Sequence, residues 1–269
     1  MKHEVSIPKK FRILAIGNSF SQDAMEHLYL VAHDLGIEDV VIGNLYIGGC
    51  SLERHYKNMT ENIGDYTFFI SDPETLSMIK EGDGRTMEYG ITYTDWDYIT
   101  VQQASNRSGL SDTYSYLDDI IAYVNRKKTS DSKLLWHMTW AYQQDSAHPG
   151  FANYNNDQKT MYDAIVSVTK EKILNTKEIS GVIPVGTAIQ NMRHTPIGDT
   201  LTRDGHHLSC GIGRYTAALT WLSYITGCDI CGITAVPEKY PEVAEQLDSI
   251  KAAVEMALSD PFGEARTDN

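Results

Sequence analysis

A serine placed where a strand stops, and an aspartate three residues ahead of a histidine far downstream, are the residues of this chain that could do chemistry together. Ser19 follows Gly17-Asn18 at the end of the apolar run Arg12-Ile13-Leu14-Ala15-Ile16. Directly after it, Asp23-Ala24-Met25-Glu26-His27-Leu28-Tyr29-Leu30-Val31-Ala32 has apolar residues at helical spacing, with Asp23 near the start to suit the positive end of the helix dipole. Glycine and asparagine accept tight turns that most side chains refuse, so this is how a strand hands over to a helix. In an open α/β sheet that edge is where ligands bind. The second run, Arg203-Asp204-Gly205-His206-His207-Leu208-Ser209, precedes a helical stretch starting near Gly211. A carboxylate that fixes an imidazole's tautomer leaves its other nitrogen free to take a proton from a serine.

Together the two runs resemble the first and last blocks of the SGNH or GDSL superfamily of esterases and lipases. Gly17-Asn18-Ser19-Phe20-Ser21 looks like the first block, with Asn18 where many members carry Asp, and Asp204-Gly205-His206-His207 looks like the last. The resemblance implies Ser19 as nucleophile, Asp204 as orienter and His207 as base, the spacing selecting His207 over His206. It implies an oxyanion hole made by the backbone N–H groups of Ser19 and of a glycine after the second strand, Gly49 or its neighbour Gly48. The superfamily's third block, Gly-x-Asn-Asp, is absent; Gln102-Gln103-Ala104-Ser105-Asn106 stands in its place. Some carbohydrate-esterase branches place a glutamine there, which makes Gln103 the expected third donor, with Asn106 and Gln102 behind it. Asn18, Gln102, Asn106 and Trp140 are the expected substrate contacts, Trp140 and Tyr142 standing at the end of the fourth strand. The activity implied is a serine ester hydrolase that removes a short acyl group, first of all O-acetyl from a carbohydrate.

The elements that must position these residues can be read in order. After the first strand and helix, Glu38 to Ile47 reads as a β-branched second strand ending at Gly48-Gly49, and Ser51 can cap the helix that follows. Residues 64–95 break the pattern with two aromatic-rich runs, Tyr66-Thr67-Phe68-Phe69-Ile70 and Tyr89-Gly90-Ile91-Thr92-Tyr93, expected as the two strands of an inserted hairpin with a short helical turn around 73–80. Asp97 to Val101, Lys133 to Trp140 and Gly181 to Gly186 read as the third, fourth and fifth core strands. Helices are expected from Tyr116, over 153–175, over 187–192, past Gly211 and over 241–258. Strands alternating with helices predict a parallel sheet covered on both faces by right-handed crossovers. The resemblance makes this a three-layer α/β/α sandwich with about five parallel strands in flavodoxin-like order. With no repeat or low-complexity linker, residues 1–269 are expected to form one domain.

Composition narrows the partners. A net charge of -13 and a hydrophobic content of 42% describe an acidic chain with enough apolar residues for a core, not one that neutralises nucleic-acid phosphates. No run reaches membrane-spanning length and residues 1–10 lack an apolar leader, so a soluble, cytoplasmic protein is expected as written. A chain whose leader had been trimmed would look the same. Cys50, Cys210, Cys228 and Cys231 are too scattered for a disulfide scaffold, and Cys228-Asp229-Ile230-Cys231 lacks the second pair of a zinc site. No cofactor and no metal are expected; the partner is a small-molecule or glycan ester. Four other readings stay open. These are a carbohydrate-binding protein without catalysis, an acyltransferase, a phosphate or flavin loop at Gly17-Asn18-Ser19, and metal hydrolysis through Asp204, His206 and His207.

Overall fold

The computed structural model describes residues 6–263; the first five residues, part of the run on which the leader reading rests, lie outside it. Its centre is a seven-stranded sheet in the order β4-β3-β2-β1-β5-β6-β7. The strands are β1 (Lys10–Gly17), β2 (Asp39–Tyr46), β3 (Tyr66–Asp72), β4 (Ser77–Arg85), β5 (Tyr98–Val101), β6 (Lys133–His137) and β7 (Ile179–Ile183). Five of them run parallel, β2-β1-β5-β6-β7, which is the expected order of the second, first, third, fourth and fifth core strands.

The expectation of a five-stranded, purely parallel sheet is corrected at one edge. β3 pairs antiparallel with β2, and β4 antiparallel with β3, so the hairpin extends the main sheet rather than standing apart from it. Its strands also differ from the expected ones. The turn lies over residues 73–76, the charged run Ser77–Arg85 is the second strand, and the run over residues 89–93 expected as that strand instead overlaps the helix α4 (Met87–Ile91), capped by Thr86. Phe68 accounts for the misreading: Tyr89 and Tyr93, at helical spacing, both pack on its ring, so aromatic density marks one packed cluster rather than two strands.

Alternation along β2 shows how the layers form. Asn44 faces α1 (Ser19–Met25), where Ser21 Oγ donates to its side chain at 2.9 Å, while Leu45 lies under Gly90 of α4 on the opposite face. Helices α1, α2 (Leu28–Asp34), α8 (Ile212–Thr226) and α9 (Glu242–Ser259) pack together on the first side; α3 (Leu52–Thr60), α4 and α5 (Leu117–Lys127) pack together on the other. The helix expected over 153–175 is a 3₁₀ turn at Pro149–Tyr154, then α6 (Gln158–Val168), which ends in a π turn at Thr169–Ile173. Helix α7 (Val185–Arg193) starts two residues before the expected one and is buried along its whole length. Because the five strands β2-β1-β5-β6-β7 are parallel, their C-terminal ends share one edge, which gathers Ser19, Gly48-Gly49, residues 102–106 and residues 138–142.

Candidate active site

Ser19 is the first residue of α1, and Asn18 caps that helix by accepting the Phe20 N–H at 2.9 Å. Asn18 N–H is returned to Ser21 Oγ at 3.1 Å, which completes a capping box. A Cβ at Gly17 would collide with Ser21 Oγ, so only glycine allows the strand to close into the helix this tightly. Asn18 also donates its amide to the Cys50 carbonyl at 3.1 Å and accepts from Gln102 Nε2 at 2.8 Å. Gln102 in turn takes a hydrogen bond from His137 Nδ1 at 2.8 Å. This buried chain ties the ends of β1, β2, β5 and β6 into one frame around the serine.

The loop bearing Asp204 and His207 folds back on itself. Arg203 N–H donates to the His207 carbonyl at 2.9 Å, Ser209 N–H to the Leu201 carbonyl at 2.8 Å, and Thr202 bridges Leu208. Asp204 Oδ2 meets His207 Nδ1 at 2.6 Å, and its Oδ1 accepts the backbone N–H groups of His207 at 2.8 Å and His206 at 3.2 Å. His207 Nε2 stands 2.8 Å from Ser19 Oγ. Partial burial pushes the Asp204 pKa up, but the hydrogen bonds from the His207 ring and the two backbone donors outweigh it and bring it down to about 2. Asp204 is therefore an anion at any pH where the imidazole works.

The expected dipole role of Asp23 is corrected by its contacts. It lies past the first turn of α1, fully buried, and accepts the Leu208 N–H at 2.9 Å. Arg203 reaches it at 3.0 Å and Arg214 at 2.8 Å, while Arg203 also donates to the Leu208 carbonyl. The helix that starts with the serine thus holds the loop that carries the histidine. Sequence reasoning missed both arginines, and no local spacing could have paired residues this far apart.

The oxyanion candidates separate clearly. Backbone N–H groups of Ser19, Gly48 and Gly49 have no acceptor among the described residues; Gly48 and Gly49 are both exposed, and Gly49 has φ +62, a conformation that favours glycine. Gln103 does not fit the donor role expected of it. Its Nε2 gives both hydrogens to Thr113, at 3.0 and 3.1 Å, and its Oε1 accepts from Leu52 and Ala104. It is a buried strut. Gln102 and Asn18 are likewise buried and bonded on both sides, so neither is placed to touch a substrate. Asn106 alone of these four amides is part-exposed, and its side chain has no partner among the described residues.

Trp140 is corrected as well. It is fully buried, stacks on Phe20 with ring centroids 4.1 Å apart, and donates its indole N–H to the His206 carbonyl at 2.8 Å. It supports the site from behind. Tyr142 is buried too, with its hydroxyl on Ser105 Oγ at 2.8 Å. Asp204, His206 and His207 have ligand atoms within 4.8 Å of one another, but both His207 nitrogens are already engaged by protein atoms. A metal there would displace the Ser19 contact. All four cysteines are free, and among the described residues no helix is long and apolar enough to cross a membrane.

Comparisons with known proteins agree with this architecture. No curated protein matches the chain. Two catalytic variants of an acetylxylan esterase from Geobacillus stearothermophilus share the fold at 10% identity, with TM-scores of 0.52 and 0.51, over 84% of this chain and 98% of theirs. The crystal structure of a DUF4886 family protein from Bacteroides uniformis ATCC 8492 is similar at 38% identity and TM-score 0.89, over 96% of this chain and 98% of that one. The model of a family described as domain of unknown function DUF4886 matches residues 12–255, and the chain belongs to that family.

Proposed function

We propose that this chain is a serine ester hydrolase of the SGNH type, acting on a short acyl group and first of all on O-acetyl carried by a sugar. The observation that carries the reading is the continuous relay from Ser19 Oγ through His207 to Asp204, at 2.8 and 2.6 Å. The sugar ester rests on the likeness of the third-strand region to carbohydrate-esterase branches and on an acetylxylan esterase sharing the fold.

In this mechanism Ser19 Oγ gives its proton to His207 Nε2 as it attacks the acyl carbon. Asp204, fixed as an anion, stabilises the imidazolium. The carbonyl oxygen becomes an oxyanion that accepts from the N–H groups of Ser19 and Gly49 and from the Asn106 amide, which replaces Gln103 in this role because its donors are uncommitted. Each such donor contributes roughly 3 kcal/mol to the transition state in known oxyanion holes. Collapse breaks the bond to the alcohol, whose oxygen takes the proton from His207 Nε2. Water, deprotonated by the same nitrogen, then attacks the acyl carbon, and the acid leaves as Ser19 Oγ takes that proton back from His207 Nε2.

The test is turnover of 4-nitrophenyl acetate by the wild type and by Ser19→Ala, with mass spectrometry of the fluorophosphonate adduct. A Ser19-dependent rate and an adduct on Ser19 are expected. Equal rates in the two proteins would remove the hydrolase reading.

A further inference from the structure

Beside the relay stands a row of three imidazoles that the mechanism does not use in full. The His206 ring lies 4.0 Å from that of His207, and the His148 ring 4.8 Å from that of His206. The His206 and His148 rings are part-exposed, and the Nε2 atom of each has no partner among the described residues. Their other nitrogens are committed in opposite senses. His148 Nδ1 accepts the Gly150 N–H at 3.0 Å, which leaves the ring proton on Nε2 as an outward donor. His206 Nδ1 faces only acceptors, the Asp204 carbonyl at 3.3 Å and carboxylate at 3.2 Å, so it carries the proton and Nε2 is an outward acceptor. Burial, and then the neighbouring His207, lower the pKa of His206 and of His148 below the ordinary imidazole value, against the raising effect of Asp204.

The backbone of this row is held firmly. Trp140 anchors the His206 carbonyl, and Tyr142 packs against both rings, 4.9 Å from His148 and 5.6 Å from His206. Position follows from the chemistry of the relay: His207 Nε2 must hand its proton to the leaving oxygen, so the alcohol part of an ester departs alongside the His207 ring. The groups flanking that ring are the ones it meets.

Resting on the hydrolase reading, we propose that His148 and His206 form the subsite for the alcohol part of the ester, a neutral polyhydroxylated group whose neighbouring hydroxyls pair with one fixed donor and one fixed acceptor. An anionic alcohol is disfavoured there, since the Asp204 carboxylate lies next to the His206 ring. The acyl group is not selected by this wall.

Two acetyl esters that differ only in the alcohol part test the subsite. Methyl xyloside 3-monoacetate has free hydroxyls on both carbons flanking the ester; 4-nitrophenyl acetate has none. The proteins compared are the wild type, Ser19→Ala, His206→Ala and His148→Ser, the last of which keeps an acceptor for the Gly150 N–H. Each histidine variant should lower kcat/KM on the xyloside ester about three- to tenfold more than on 4-nitrophenyl acetate, the size of one lost hydrogen bond. A parallel fall on both esters, or an unmoved ratio, overturns the subsite while leaving a Ser19-dependent hydrolase intact. A wild type that cleaves 4-nitrophenyl acetate and ignores the xyloside ester overturns it too. If Ser19→Ala matches the wild type on both esters, the hydrolase reading fails and the subsite falls with it.

Discussion

Acidification from pH 7 to pH 5 is expected to cost this fold about 6 kcal/mol, because three imidazoles are packed away uncharged. His27 is lowered to about 4 by burial, against the raising effect of its bond to the Cys210 carbonyl and with help from Arg214. His55, bonded to the Tyr66 hydroxyl, is lowered to about 3 by burial and then by Arg54, and His137, bonded to Gln102, to about 3 by burial. The ordinary value is about 6.5, so below it the unfolded chain binds protons that the folded chain refuses. Stability from these groups is complete above pH 6.5 and is lost as pH falls towards 4 and then 3. Each refused proton is worth up to about 1.4 kcal/mol per pH unit, hence about 2 kcal/mol per histidine at pH 5. The sum is a large share of the 5–15 kcal/mol typical of a domain. Acidification also relaxes the repulsion of a chain carrying -13 charges, so the measurement belongs in about 0.15 M salt, where that effect is screened. Urea unfolding followed by tryptophan fluorescence at pH 7, 6 and 5 gives the slope. His27→Gln, which keeps a donor for the Cys210 carbonyl, should remove about a third of the loss. A stability that stays level within about 1 kcal/mol from pH 7 to 5, or a slope unaltered in the variant, would refute the reasoning.

Four further outcomes follow from the site. Asn106→Ala should lower kcat about 10²- to 10³-fold with little change in KM, as loss of an oxyanion donor does. Gln103→Ala, measured beside it, should instead lower the melting temperature, because its amide joins Leu52, Ala104 and Thr113. Asp23→Asn leaves Arg203 and Arg214 without their shared counter-charge, so urea unfolding should show a loss of about 3 kcal/mol, and Ser19 should react more slowly with a fluorophosphonate. Asp204→Asn should reduce kcat by about 10³- to 10⁴-fold while leaving the unfolding midpoint nearly unchanged, since its side chain is 42% exposed.

Where residues interact through the period of one strand or helix, the sequence was readable. The five parallel strands, their order by resemblance, and the handover at Gly17-Asn18-Ser19 all appear in the structure near their expected bounds. The short Asp204 to His207 spacing likewise brought a carboxylate to an imidazole. Sequence could not tell which of several amides near the third strand is free, because Gln103 is occupied by Thr113 and Leu52, partners set by tertiary packing. Nor could it separate an aromatic that lines a cleft from one that lies beneath it: Trp140 stacks on Phe20, out of reach of solvent. The charged run Ser77–Arg85 lacks β-branched alternation and becomes a strand only because β3 offers it a partner.

That outer strand has a consequence for how the molecule behaves among its own copies. Among the described residues, β4 has no strand on one side of its backbone, the arrangement that invites another chain to join and grow a ribbon. Here the invitation is blunted: Lys80 pairs with Asp83, Arg85 with Glu81, and the register against β3 slips twice between Tyr66 and Phe69. A newcomer would have to break ion pairs and match an uneven ladder. The hairpin that lengthens the sheet therefore also terminates it.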